Sequence, residues 1–153
     1  MFIALVLGCV TVFISTGIQV AAVIYMLRYL LGIISKEYTR PKGFGFDAYV
    51  IGMVLVMLFV GHLVQVGLWA ILFMQLGEFS DFQTAFYHST VNFASLGYGD
   101  IVMSEQWRLL GAIEASNGVL MFGLSAGALL SIMSAVFSRH DELRVYPRKE
   151  RVD

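Results

Sequence analysis

Three stretches of this chain are long and apolar enough to cross a lipid bilayer. From Phe2 to about Ile34 the only charged residue is Arg28. The stretch 49–76 has no Asp, Glu, Lys or Arg, and 107–137 has only Arg108 and Glu114. Hydrocarbon offers the backbone no partner, so such runs are stable only as helices that satisfy their own N–H and C=O groups. Composition agrees. Charged residues make up 14% of the 153 positions, against about 25% in a soluble domain. At about 1.5 Å per residue the first stretch reaches roughly 50 Å. That exceeds the ~30 Å hydrocarbon core, so it must tilt or project, with Arg28 near one interface.

Between the second and third stretches lies a shorter apolar and aromatic segment, Phe82 to Ala94. As a helix it spans only about 20 Å and cannot cross. Ser80 and Asp81 before it are good helix-start residues, and the glycine-rich Gly97-Tyr98-Gly99-Asp100 follows it. Irregular backbone at membrane depth persists only when buried in protein or lining a watery cavity. A half-crossing helix with a glycine-rich return is therefore a pore-loop pattern. The expected architecture is an all-α membrane protein with three transmembrane helices and a re-entrant helix. The expected divisions are 1–34 (first helix), 35–48 (linker), 49–137 (the two spans and the re-entrant segment) and 138–153 (polar tail).

Basic residues give an orientation. Lys36, Arg40 and Lys42 lie in the linker, and Arg139, Arg144, Arg148, Lys149 and Arg151 in the tail. The region 77–106 has neither Lys nor Arg. The positive-inside rule places linker and tail in the cytoplasm and 77–106 outside. Three spans then leave the N-terminus outside and the C-terminus cytoplasmic. A net charge of -1 suggests no nucleic-acid partner, and a single cysteine excludes an intrachain disulfide. Leu7-Gly8-Cys9 faintly imitates a lipoprotein cleavage site, but no basic residue precedes it and the run before it is short. Cys9 is expected to be a small apolar packing residue.

Ser95-Leu96-Gly97-Tyr98-Gly99-Asp100 resembles the potassium-channel filter Thr-Val-Gly-Tyr-Gly-Asp. Ala85-Phe86-Tyr87-His88-Ser89 is similar to the pore helix of bacterial two-transmembrane-type potassium channels. Trp107-Arg108-Leu109-Leu110-Gly111, with Glu114 and Gly118, is similar to the start of their inner helix. The resemblance covers roughly 49–137 and leaves the first helix as an addition. It implies a homotetrameric pore in a bacterial inner membrane, with the chain itself and the bilayer as partners. K⁺ would be the permeant ion, with no other cofactor. In this family filter carbonyls replace the water lost by the ion. Ser95, Leu96, Gly97 and Tyr98 would supply the K⁺-binding carbonyls, and the Ser95 hydroxyl the innermost ring. Gly97 and Gly99 reach the required backbone angles without a Cβ penalty.

The resemblance places Asp100, after Gly99, at the outer mouth, with the Tyr87 hydroxyl as its candidate brace; an exposed aspartate that simply attracts cations is the alternative. Glu114 sits near the filter's support, with Ser89 or Asn92 as candidate partners; a carboxyl within a span is costly unless it faces protein or water. Asn117, Met121 and Ser125 recur every four residues and are candidates for lining a cavity, with helix packing as the alternative. Gly118 falls near the family's gating hinge, though close packing is the better account of it, as of Gly123 and Gly127. His62, Gln65 and Trp69 share one face of the second stretch. His62 and His88 are candidate pH sensors or satisfied interior histidines. With His140 and Cys9 they form no metal-ligand spacing, and no nucleophile–base pairing suggests an enzyme.

Four positions depart from the family pattern: Ser95 replaces threonine but keeps the hydroxyl, Leu96 replaces valine, and Asn92 and Ala94 stand where hydroxyl residues are usual. They keep a weakly selective cation channel open as an alternative, beside a non-conducting membrane scaffold. A lone Arg28 is too little for a voltage sensor.

Overall fold

A computed structural model describes residues 1–36 and 44–145. Among these residues there are four helices and no strand paired into a sheet: α1 (Phe2–Lys36), α2 (Phe44–Gln75), α3 (Phe82–Phe93) and α4 (Arg108–Val145). Three contain stretches long and apolar enough to cross a membrane: Phe2–Leu30, Gly45–Gln75 and Arg108–Ala135. The short helix begins at Phe82 as expected and ends one residue early.

Two boundaries differ from the sequence reading. α1 reaches Lys36 and α2 starts at Phe44, so helix takes in both ends of the expected 35–48 linker; 37–43 lies outside the described residues. Gly43 and Gly45 mark a loop by composition, yet Asp47 in the first turn suits a helix N-terminus. α4 continues to Val145, well past the apolar limit near 137. Hydropathy marks where lipid ends, whereas a helix continues into water as long as its residues favour it. The remaining tail, 146–153, lies outside the described residues.

α1 packs against α2 and α4, and α3 packs against the same two helices. α1 runs parallel to α4. Gly8 lies against Leu110 and Ile113, Ser15 bonds to Asn117, Gln19 bonds to Ser125, and Met26 and Leu30 share a cluster with Ile132. α2 is antiparallel to both. The start of α1 therefore lies at the end of the bundle that carries α3 and the 76–107 turns.

The interior has three layers. At the α3 end Ala4, Val66, Trp69, Phe73, Phe93, Leu110 and Met121 form one apolar cluster. At the other end Met26, Leu30, Val50, Val54, Leu58 and Ile132 form a second. Between them lies a belt of buried hydrogen bonds. Asn117 Nδ2 donates to Ser15 Oγ (2.8 Å), and Ser15 Oγ to Gln65 Oε1 (2.5 Å). Gln65 Nε2 donates to Gln19 Oε1 (2.6 Å) and to the Gly61 carbonyl (3.2 Å). Gln19 Nε2 donates to Ser125 Oγ (2.7 Å). Ser125 gives its one proton to the Met121 carbonyl (2.8 Å), so the 3.1 Å contact to His62 Nε2 requires the histidine to donate.

The inward seam of α1 explains how it comes so close. Ala4, Gly8, Thr11, Ser15 and Gln19 fall three or four residues apart and are buried, and the first four are small. Small residues let membrane helices approach within hydrogen-bonding range. Cys9 is on the opposite, exposed face, so it is not the packing residue expected, because Gly8 takes the inward position beside it. Arg28 is exposed near the far end of α1.

A second close approach joins α3 to α4. A Cβ on Gly118 would stand 1.9 Å from the Phe93 carbonyl oxygen. Only glycine allows this crossing, so Gly118 has a packing role in this chain.

Two outcomes follow. Gln65→Leu removes the central node and strands Ser15 and Gln19. Detergent-solubilised protein should lose about 1–2 kcal/mol of stability, and a Ser15/Asn117 double-mutant cycle should give a coupling of about 0.5–2 kcal/mol; an unchanged unfolding midpoint and zero coupling would refute the belt. Gly118→Ala should destabilise more than Gly123→Ala, because Gly123 has open space where its Cβ would go. Equal effects in thermal unfolding would contradict the close approach.

Candidate functional site

The segment after α3 is positioned from both ends of that helix. At its start, Asp81 is the N-cap, with φ -131° and ψ 149°, and its Oδ1 accepts from the Thr84 N–H at 2.8 Å. That bond holds the exposed Asp81 carboxyl below its ordinary value. At its end, Leu96 N–H donates to the Val91 carbonyl (2.9 Å) and Ser95 N–H to the Asn92 carbonyl (2.8 Å). This pair is a Schellman ending, which places the residue between the two bonds in the left-handed region. Glycine is the usual occupant; here it is Ser95, with φ 56°.

The change of hand then recurs. Gly97 has φ 59° and Gly99 has φ 72°, whereas Leu96 and Tyr98 are not in the left-handed region. In an ordinary extended strand successive carbonyls point to opposite sides. Reversing the hand at every second residue turns alternate peptide planes over, so N–H groups gather on one side and carbonyls on the other. A row of carbonyl oxygens on one side of a strand can ligate a cation. Ser95, Leu96, Gly97, Tyr98, Gly99 and Asp100 are all exposed on the chain's own surface, Leu96 at 53% and Tyr98 at 66%.

Side chains tie down the stretch that follows. Tyr87 Oη donates to Asp100 Oδ2 at 2.7 Å, the pairing expected from the sequence. The bond holds the Asp100 carboxyl below its ordinary value and raises the Tyr87 phenol. His88 Nδ1 lies 3.1 Å from the Ile101 carbonyl, and its Nε2 lies 2.8 Å from Asn92 Nδ2. Glu78 accepts from both the N–H and the hydroxyl of Ser104, each at 2.7 Å. The sequence reading missed the Glu78 clamp, because a lone acid in a loop carries no spacing signal. It also missed the left-handed Ser95, although a residue closing a helix just before glycines hinted at it.

Glu114 is fully buried. Ser89 and Asn92 of α3 face it, yet neither carboxyl oxygen, nor Ser89 Oγ, has a partner at ordinary hydrogen-bond geometry among the described residues. The carboxyl therefore sits against α3, facing two donors.

Three candidates for a cavity face point elsewhere. Asn117, Met121 and Ser125 are buried within the single chain, at 1%, 4% and 9% exposure. Asn117 and Ser125 bond to α1, and Met121 joins the upper apolar cluster. Helix packing, the alternative reading, accounts for them. The face that α4 leaves open carries Ser116, Leu120, Gly123 and Gly127 instead. His62, Gln65 and Trp69 do share a face, and it is buried. The His140 side chain lies outside the described residues.

A family model described as Ion channel matches residues 50–135, more than half of the chain. The match contains most of α2, all of α3, the 95–100 strand and the apolar part of α4; α1 lies outside it. No curated protein and no solved structure matches the chain. Three apolar helices of membrane-crossing length, a short helix with its exposed strand, and a match from within α2 to within α4 have one reading: this chain is an integral membrane protein and belongs to the ion channel family.

Proposed function

We propose that this ion channel is potassium-selective, and that its selectivity filter is the strand 95–100 supplied by four copies of the chain. The observation that carries the reading is the alternation of hand at Ser95, Gly97 and Gly99 within the sequence Ser-Leu-Gly-Tyr-Gly-Asp. Such a strand offers its carbonyls along one edge. One strand surrounds an ion on one side only, whereas four such strands about an axis replace a full hydration shell. The exposure of 95–100 in the single chain supports this reading, since a cage made by neighbours must be open in each of them.

In this mechanism α3 is the pore helix. The Ser95, Leu96, Gly97 and Tyr98 carbonyls, with the Ser95 hydroxyl, bind K⁺. Side chains do no chemistry on the ion; they fix the backbone that does. Tyr87 holds Asp100 at the outer mouth and Glu78 holds Ser104. Glu114 and Gly118 hold α4 against the back of α3, and the open face of α4 lines the path below. The 77–106 region and the start of α1 lie outside the cell and the basic tail inside, as the charge distribution favours.

The direct test is ion flux from the purified chain in liposomes. K⁺ flux without Na⁺ flux is expected, from an assembly of four 17.0 kDa chains, about 68 kDa of protein. Flux of both ions identifies a weakly selective cation channel, and no flux a scaffold. Ser95→Gly separates two roles, because it keeps the left-handed turn and removes the hydroxyl. The bi-ionic K⁺/Na⁺ reversal potential should move toward zero; no movement would remove the hydroxyl from the ion path. Ser95→Thr is disfavoured here, since a β-branched residue at positive φ is strained.

Glu114 gives a further test. Glu114→Gln keeps shape and hydrogen bonding and should conduct. Glu114→Ala leaves Ser89 and Asn92 facing a gap, and should cost about 1–3 kcal/mol of stability together with conduction. Parental behaviour in both would remove Glu114 from the support of the strand.

A further inference from the structure

His88 occupies an unusual position. Its ring bridges α3 and the backbone just beyond the 95–100 strand, and it is 5% exposed. It packs edge-on to Phe73 (5.7 Å between ring centres) and tilted against Phe79 (4.9 Å). Both ring nitrogens are engaged, and their partners fix the protonation state. The Ile101 carbonyl can only accept, so Nδ1 must carry a proton. The Asn92 amide nitrogen can only donate, so Nε2 must be bare. With the Asn92 NH2 turned toward the ring, the arrangement suits the neutral Nδ1–H tautomer.

A second proton on Nε2 would face the Asn92 NH2 group, donor against donor. The local remedy is a half-turn of the Asn92 amide, which presents Oδ1 to the charged ring. That turn withdraws the NH2 from the side of α3 that Glu114 faces, and it takes place against Gly111, whose missing Cβ would lie 3.0 Å from Asn92 Nδ2. The contact between α3 and α4 behind the strand is thereby reset by one proton.

We propose that His88 is a positioning residue for conduction, and that its protonation from the side holding residues 76–107, through the turn of Asn92, lowers the current. The proposal rests on the 95–100 strand being the conducting one. The charged and titratable groups around the ring are known. Glu78 from the α2–α3 turn and Asp100 from the strand favour the charged ring, and Tyr87 is bonded to that Asp100. Glu105 and Arg108 border the same cleft of about 530 Å³ that His88 lines. Glu114 faces Asn92 from α4. Burial against the two phenylalanines outweighs the acids and holds the ring's protonation below the ordinary imidazole value. The neutral bridge is thus present at neutral pH and is lost on acidification.

The test uses the full chain in planar bilayers, with pH varied on one side at a time. As the pH on the 76–107 side is lowered from 8 to 4 the current should fall roughly tenfold, with its midpoint on the acid side of an ordinary imidazole because burial disfavours the charged ring. His88→Asn keeps a donor for the Ile101 carbonyl but cannot titrate; it should conduct and lose the pH step. His88→Leu keeps neither and should conduct poorly at every pH. A parent current that does not change with pH, or a His88→Asn variant that keeps the parent's step, overturns the proposal. If the parent carries no K⁺ current, the channel reading fails by itself. The imidazole ¹⁵N shifts, assigned by loss of signal in His88→Asn, then decide the bridge. An Nδ1–H tautomer at neutral pH that reorganises with Asn92 on acidification supports it; an Nε2–H tautomer overturns it.

Discussion

The hydrogen bonds from Asn117 through Ser15, Gln65 and Gln19 to Ser125 set the register of this fold. Apolar packing between membrane helices is weakly directional, since lipid tails solvate a leucine about as well as another leucine does. The two apolar clusters above and below would tolerate sliding or rotation of α1. The belt does not, because a shift of one residue would break every bond in it at once. Its direction adds to this. Each amide or hydroxyl donates to the next group, with Asn117 Oδ1 at the head of the chain left without a partner among the described residues, and Gly61 and the α1 seam bring the backbones near enough for the bonds to form.

A fixed three-helix frame is what allows an irregular strand to exist at one end of it. The strand 95–100 carries positive φ at three of six positions, one of them a serine. A left-handed non-glycine residue costs of order 1–2 kcal/mol, which the surroundings must offset. The ties are distributed along the segment: the Schellman bonds before it, Tyr87 on Asp100, His88 on Ile101, Glu78 on Ser104, and the Phe93 carbonyl against Gly118. Every one of them ends on α3 or on a turn that α2 and α4 hold in place.

Much of this was legible in the residues. The long apolar runs gave three helices, Asp81 and the short aromatic run gave α3 to within a residue, and Tyr87–Asp100 was found as a pair. These features announce themselves through charge, length or a dense motif. The missed ones have no such mark. Thr11, Ser15 and Gln19 are uncharged and sit within a strongly apolar run, so the run reads as featureless, although their spacing of three or four residues was the available sign of a seam. Asn117, Met121 and Ser125 show which residues share a face of α4 but not which neighbour the face meets. That question is settled by α1, whose position no periodicity within α4 can reveal. Nor does hydropathy report where a helix stops once it has left the lipid, as α4 shows beyond residue 137.

The family match begins at residue 50, which invites a division between an ion channel portion and an added helix. The hydrogen bonds argue against treating them as separable. Gln65, Asn117 and Ser125 lie inside the matched region, yet their partners Ser15 and Gln19 lie outside it. Without α1 these side chains would face hydrocarbon unpaired, in a medium where an unsatisfied polar group is costly. A chain that places Gln, Asn and Ser on the outward faces of α2 and α4 already assumes that a third helix will cover them. The three spans are therefore one structural unit, and the backbone that holds Ser95 to Asp100 is supported by α1 at one remove, through the belt, without any contact between α1 and the strand being needed.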